Sequence, residues 1–571
     1  METLEVLSPW AEVDYAGARG LNPRVDNLDG KRIGMFAHFK GHSPVILKAV
    51  EEELTQRYPN ATFTYLQYPK DTREAEHDPE FRPVLEEWLK DVDCVIAAYG
   101  DAGSCAMYHA YNTVFVEKLG VPAVLLVKRD LLMSAARGAA ARFMPELRMV
   151  LVDPALPDLS FVKEINDDVI NNVIKPNIHN VMDDIVAGLT TPLTEKEKET
   201  PTSKANKYAH ATFTGTPAEI NEHFYRMGYT DGLPIVPPTR EAVDEMLRGT
   251  DLPRDYIVAE LPPMLGKATV EKIAVNAVMA GCLPIHLPFI IAAVEAMMEP
   301  QIHLVGWTCS VAGFAPNLVV SGPAAKDAGI NATTTVLSPY FRANSSIGKA
   351  LAFIIMNISG SRPGLEDNAY MGHEGRFFTV YAEDEEHCPW EPVRTDYGFA
   401  PEDTAVFLHW SHEHAMFKGG GKAQVLLANM CSFDNPGGFD PGCTFILSAA
   451  AAKLLADEGM TRQDVKDYIC EYARKPSSRI NARWMRDNNH MPATKIPLPQ
   501  PGTEGSARKY WTTEHLNVFV AGAPATDRGI ALAGGGDHGG PAYVKVKLPA
   551  NWDALVAEYA EKSANPDYID Y

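Results

Sequence analysis

Cysteine is scarce in this chain of 571 residues: eight in all (Cys94, Cys105, Cys282, Cys309, Cys388, Cys431, Cys443, Cys470), with no C-x-x-C pair and no zinc-finger spacing. A disulfide framework and a structural zinc module are therefore not expected, and buried thiols in a reducing cytoplasm are. Positive charge is in deficit, 52 Lys+Arg against 74 Asp+Glu for a net charge of −22. Nucleic acid and anionic membrane surfaces both demand a basic footprint, so neither is an expected partner. No long hydrophobic run is present. The most apolar stretch, 282–298, is short and broken by Pro284, His286, Pro288 and Glu295. Residues 1–15 show no basic stretch followed by an apolar one, so no secretory signal is expected. The Walker fingerprint is missing too: no Gly-rich turn is followed by Gly-Lys-Ser/Thr. No cofactor is predicted on that basis.

What is present is an ordinary globular composition, 46% hydrophobic and 22% charged, with 42 glycines and 42 prolines for many tight turns. At this length two to four domains are expected. Residues 30–190 alternate strand-length apolar runs (32–37, 62–67, 94–99, 121–127, 147–152) with helical patterns (43–57, 79–89, 104–119, 129–141, 167–185). That alternation predicts an α/β fold: a flavodoxin-like parallel sheet covered on both faces, in an N-terminal domain over 1–189. Residues 190–210 are polar, charged and punctuated by Pro192 and Pro201, as an exposed linker would be. A larger α/β or α+β region follows over 211–571, as one domain or two subdomains. Thr216-Pro-Ala-Glu219 is a capping box that opens a helix to about residue 227, and 303–308 reads as a strand.

The sharpest local feature is Tyr99-Gly-Asp-Ala-Gly-Ser-Cys105, which follows the third strand and opens a helix. Such a turn lies at the carboxyl end of a parallel sheet, where open α/β folds bind ligands. Ser104 can cap the helix and Cys105 then stands in its first turn, where free N–H groups and the dipole favour a thiolate. Asp101 and Gly103 shape the turn. The loop after the first strand supplies His38, Lys40 and His42 across the switch point, to stabilise a thiolate or move protons.

Gly100-Asp-Ala-Gly-Ser-Cys105 resembles the signature of the UGSC family of (seleno)proteins, named for selenocysteine-Gly-Ser-Cys, as does Leu119-Gly-Val-Pro-Ala-Val124 beyond the helix. Where that family holds selenocysteine or cysteine this chain has Ala102, so a thiol pair within the motif is impossible and Cys105 is left alone. The stretch from Tyr229-Thr-Asp-Gly-Leu-Pro onward, with 268–282, 341–348 and 388–392, resembles a second module associated with the same group. That likeness makes Cys282 a candidate, although a thiol at a helix C-terminus faces the wrong end of the dipole.

Further candidates lie in the larger region. His409-Trp-Ser-His-Glu-His414 packs three imidazoles, His409, His412 and His414, that suit a transition metal such as zinc, copper or iron. Arg342 and Asn344 before a helix start suit carboxylate recognition. His373 and Arg376 stand among glycines before a strand, and His538 sits in a Gly-rich turn at 534–540. Glu383-Asp-Glu-Glu386 reads as an acidic turn. Two functions fit these residues. One is a cytoplasmic enzyme using the Cys105 thiol on a small anionic molecule, by sulfur or acyl transfer or C–N or C–S cleavage. The other is a metal- or histidine-dependent lyase or hydrolase centred on the larger region. A homo-oligomer is the default expectation for an enzyme of this size.

Overall fold

The structure is a computed structural model that describes residues 3–14, 18–39, 42–69, 74–100, 103–152, 166–201, 205–433, 442–476, 506–508, 512–534 and 541–564. After a short β1 (Leu4–Leu7), the front of the chain lays down β2 (Arg32–Ala37), β3 (Thr62–Gln67), β4 (Cys94–Ala98), β5 (Ala123–Lys128) and β6 (Met149–Val152). These form one all-parallel sheet in the order β3-β2-β4-β5-β6. The flavodoxin-like order expected from the alternation is thus the one observed. Strand β4 is buried at every residue, as a central parallel strand covered on both faces must be. Helix α1 (His42–Arg57) and the helix Lys175–Thr190 cover one face. Helices α2 (Arg82–Leu89), α3 (Gly103–Lys118) and α4 (Leu132–Ala141) cover the other. Because α1 and α3 leave on opposite faces, the chain reverses direction between β2 and β4, which makes the crevice beyond their carboxyl ends the switch point.

Helix α3 is apolar or small nearly all round, and every residue from Gly103 to Glu117 is buried. One side packs on β4 and β5. The opposite side carries Met107, Tyr108 and Tyr111 onto Val305 and Cys309 of the larger region. The polar stretch 190–210 is partly docked rather than free. Thr194 and Glu197 form a capping box on the helix Glu195–Lys198, Arg148 grips Glu197 at 2.7 Å, and the Glu197 carbonyl accepts from Leu21 N–H.

The larger region begins with β7 (Thr212–Gly215), which pairs antiparallel with β1, so residues 4–7 belong to this sheet and not to the front one. The helix Pro217–Arg226 has the capping box of Thr216 and Glu219 that its sequence announces. A hairpin of β8 (Ile257–Leu261) and β9 (Gly266–Thr269) follows. Strands β10 (Ala315–Ser321), β11 (Thr379–Ala382), β12 (Ala405–Ser411), β13 (Glu413–Lys418), β14 (Cys443–Leu447), β15 (Arg474–Pro476), β16 (Ser506–Arg508), β17 (Leu516–Val520), β18 (Arg528–Ala533) and β19 (Ala542–Lys545) complete the inventory. Eight of these make two mixed four-stranded sheets, β11-β10-β12-β19 and β13-β18-β14-β17.

Side-chain alternation stacks these sheets face to face. Val319, Phe407, Ile446, Phe519 and Leu532 fill the space between them. Leu318, Val406 and Leu408 instead meet the helices Val270–Met279, Leu287–Met297 and Arg342–Ile354. Phe445, Val518 and Ala531 meet the helices Ala423–Ser432, Ala449–Asp457 and Arg462–Tyr472. The result is four layers, helix–sheet–sheet–helix. The 303–308 stretch, expected as a strand, is the helix Leu304–Thr308, entered through His303 at φ 49°. A short apolar run cannot be told strand from helix by periodicity alone. Among the described residues no single helix is long and apolar enough to cross a membrane.

Candidate functional site

The site is built at the switch point. Strand β4 ends at Ala98, and Gly100 then turns so tightly that a Cβ on it would stand 2.3 Å from the Cys105 carbonyl carbon. Only glycine lets the loop wrap this closely over the first turn of α3. The helix begins at Gly103, so Ser104 and Cys105 are its second and third residues and both are buried. Asp101, Ala102 and Lys40 lie outside the described residues, as does His538.

His38 closes the other side of the crevice. Its backbone N–H is shared between the Ala98 carbonyl at 2.8 Å and Ser43 Oγ at 2.9 Å, while the Ser43 hydroxyl also donates to Ala98 O. The start of α1 thereby ties the end of β2 to the end of β4. His42, the first residue of α1, sets its ring edge-on to Tyr99 at 5.5 Å. His109 stands one turn beyond Cys105 on the same helix face, a spacing at which helical side chains are neighbours. Its ring is 5.4 Å from that of His38. Burial pushes the His109 imidazole down to about 3, only partly offset by the Ala98 carbonyl, so it is neutral at physiological pH. The His38 and His109 rings thus meet at the end of β2, His42 packs on Tyr99, and Cys105 stands one helical turn from His109.

The larger region closes this crevice from outside. A Cβ on Gly103 would meet the Cys309 carbonyl oxygen at 2.7 Å and the Asn368 side chain at 3.0 Å. Asn368 Nδ2 donates to that same carbonyl. Close by, a buried ion pair joins Arg142 to Glu74, with the guanidinium 3.9 Å from the Tyr111 ring centroid and donating to Pro263 O at 3.0 Å. His109, Tyr99, Cys309 and Asn368 were not singled out from the sequence. The i, i+4 spacing from Cys105 could have revealed His109; the contacts across the two regions left no sequence signal.

The other candidates stand elsewhere and have other partners. Cys282 is buried in the helical layer beside Ser346, and burial pushes its thiol up to about 12. Asn344 bonds Asn331 and the Val380 carbonyl, while Arg342 is exposed at the helix start. The Arg376 guanidinium is taken up by Asp367 and by the carbonyls of Trp307, Thr308 and Phe314, so it staples the backbone beside Cys309. His373 Nδ1 caps its own turn by accepting from Gly375 N–H at 2.9 Å.

The three clustered imidazoles face different ways. His409 points between the two sheets toward Thr444 Oγ1 at 3.4 Å and is pushed down to about 3 by burial. His412 sits at the strand crossing against Phe314, and the exposed His414 lies 3.9 Å from Glu374. Among the described residues, the group whose ligand atoms converge enough to hold a metal is Glu74, Glu76 and His77. Glu74 there is already spent on Arg142 and Glu76 on Lys118. Glu383 and Asp384, in the stretch read as an acidic turn, are buried; Glu383 accepts from Ser321 Oγ and Val393 N–H.

No curated protein and no solved structure matches the chain. A family model does, over residues 5–191, which takes in the whole front sheet and the Cys105 turn. The matching model is that of the UGSC family, to which the chain is similar over that span.

Proposed function

We propose that this chain is an enzyme acting on a small organic molecule through the Cys105 sulfur. The observation that carries the reading is the placement of Cys105 in the first turn of α3 at the β2/β4 switch point, one turn from His109, whose ring is 5.4 Å from that of His38. Unpaired N–H groups at a helix start favour negative charge on the sulfur and on a bound anion. In the chemistry proposed, the thiolate forms a bond to an electrophilic carbon or sulfur of the substrate. The bond to the leaving group breaks, the electron pair leaves with that group, and an imidazole of His38 or His42 supplies its proton. Water or a second nucleophile then releases Cys105. The enzyme class is a thiol-dependent transferase or lyase. A soluble cytoplasmic homo-oligomer fits the eight free thiols and the chain length.

Intact-mass analysis after incubation with small acyl thioesters, in the presence of a metal chelator, tests this reading. A covalent adduct on the parent protein that is lost in Cys105→Ser is expected. An adduct that survives in Cys105→Ser, or turnover that depends on metal and not on Cys105, would favour a histidine- or metal-centred lyase or hydrolase instead.

A further inference from the structure

A second cleft, of about 870 Å³, opens in the larger region where the helix Arg462–Tyr472 meets the turn Val393–Tyr397 and β19. Trp390, Asp396, Tyr397, Arg462, Lys466 and Tyr543 line it, and its volume suits a small organic ligand. Lys466 is only 8% exposed, yet among the described residues no carboxylate comes within ion-pair distance of its ammonium. Asp396, the nearest candidate, is committed to Arg462 at 2.7 Å. Arg462 is itself buried at 4% exposure; it also donates to the Glu391 carbonyl, and its Nε has no acceptor. Glu383 faces Arg462 at 3.5 Å, but burial pushes its carboxyl up to about 7, so it returns only part of a charge. The side chains of Glu391 and Glu514 are on the solvated rim.

Two desolvated cations therefore share the one carboxylate that pairs at 2.7 Å, an imbalance that is costly unless a ligand supplies the missing charge. The rest of the wall is aromatic. The Tyr397 and Tyr543 centroids are 4.6 Å apart, the Lys466 ammonium is 6.0 Å from the Tyr397 ring, and the Arg462 guanidinium is 5.6 Å from that of Trp390. We propose that this cleft binds a small aromatic carboxylate, its anionic head on the Lys466 ammonium beside Arg462 and its ring against Tyr397 and Tyr543. Flat apolar walls hold the ring while the buried cations select the charge.

Calorimetric titration of the full-length protein with benzoate tests the site, with benzamide and acetate as probes lacking the charge and the ring. Saturable one-to-one binding of benzoate is expected, with benzamide and acetate each at least about tenfold weaker. Lys466→Met should weaken benzoate by at least about thirtyfold, and Lys466→Arg should retain it. Melting of the unliganded Lys466→Met protein at or above the parent temperature would show that the loss is one of binding and not of folding. Absence of benzoate binding at about 10 mM, equal binding of benzamide, or unchanged affinity in a folded Lys466→Met protein would overturn the proposal. Alkylation of Cys105 should be indifferent to benzoate, which separates this cleft from the Cys105 reading.

Discussion

Gly103, the first residue of α3, lies directly against the backbone of Cys309: a Cβ on it would stand 2.7 Å from the Cys309 carbonyl oxygen. One contact thus joins the start of the Cys105 helix to the larger region. Gly103→Ala must push either the helix or the 307–309 backbone aside. A loss of about 1–3 kcal/mol is expected, read as a lower midpoint in urea unfolding, together with faster proteolysis between the two regions. A variant as stable as the parent would show that the contact does not hold them together.

The Glu74–Arg142 pair is the buried electrostatic link beside that contact. Burial raises the Glu74 carboxyl, but the charge and hydrogen bonds of Arg142 outweigh it and hold the group below its ordinary value. Glu74→Gln leaves the guanidinium buried and uncompensated, at a cost of about 3–5 kcal/mol. Replacing both partners, as in Glu74→Leu with Arg142→Met, should recover most of it. Urea unfolding of the single and double variants checks this; additive losses would contradict it.

Acid should unfold the protein steeply. His109, His286 and His409 are fully buried, and burial pushes each down to about 3 from an ordinary 6.5. The unfolded chain binds more protons than the folded one below pH 6.5, so each histidine removes about 1.4 kcal/mol per pH unit as pH falls. Glu383 works in the opposite direction. Its carboxyl, raised by burial to about 7, is protonated in the folded chain before the unfolded one, so it adds stability as pH drops from 7 toward 4.5. Glu383→Gln should therefore steepen the acid limb between pH 6.5 and 5 by about 1.4 kcal/mol per unit. Urea midpoints of parent and variant across that range check the sign; parallel curves would contradict it.

Lys272 pins the N-terminal segment. Its ammonium donates to the carbonyls of Ser8 at 2.8 Å and Ala209 at 2.6 Å, and burial lowers it to about 8. Lys272→Met strips both carbonyls of their donor and should cost about 1–3 kcal/mol, seen as early cleavage near residues 8–13 in limited proteolysis. Unchanged protection there would contradict the assignment.

The front half of this architecture was legible because its physics is local. Strand-length apolar runs separated by helical patterns leave few arrangements, and the short turn before Cys105 marks the switch-point loop. The capping boxes at Thr194 and Thr216 could be read for the same reason, though only the second was. The larger region resisted because its strands pair at long range. Strand β10 lies beside β12 some ninety residues later, and nothing in either stretch names its partner. His409 and His414 are close in sequence, yet one ends buried between the sheets and the other exposed, because the chain passes from one sheet to the other between them. Cys309 and Asn368 became part of the Cys105 surroundings only through docking of two regions.

The central claim is that Cys105 is the reactive sulfur, and competitive alkylation tests it most directly. A limiting amount of iodoacetamide at pH 7, followed by peptide mapping, ranks all eight thiols in one experiment. Cys94, Cys282 and Cys309, each pushed up to about 12 by burial, serve as inert internal references. The account predicts that Cys105 is labelled at least about tenfold faster than these three. Labelling of Cys105 no faster than theirs would contradict it.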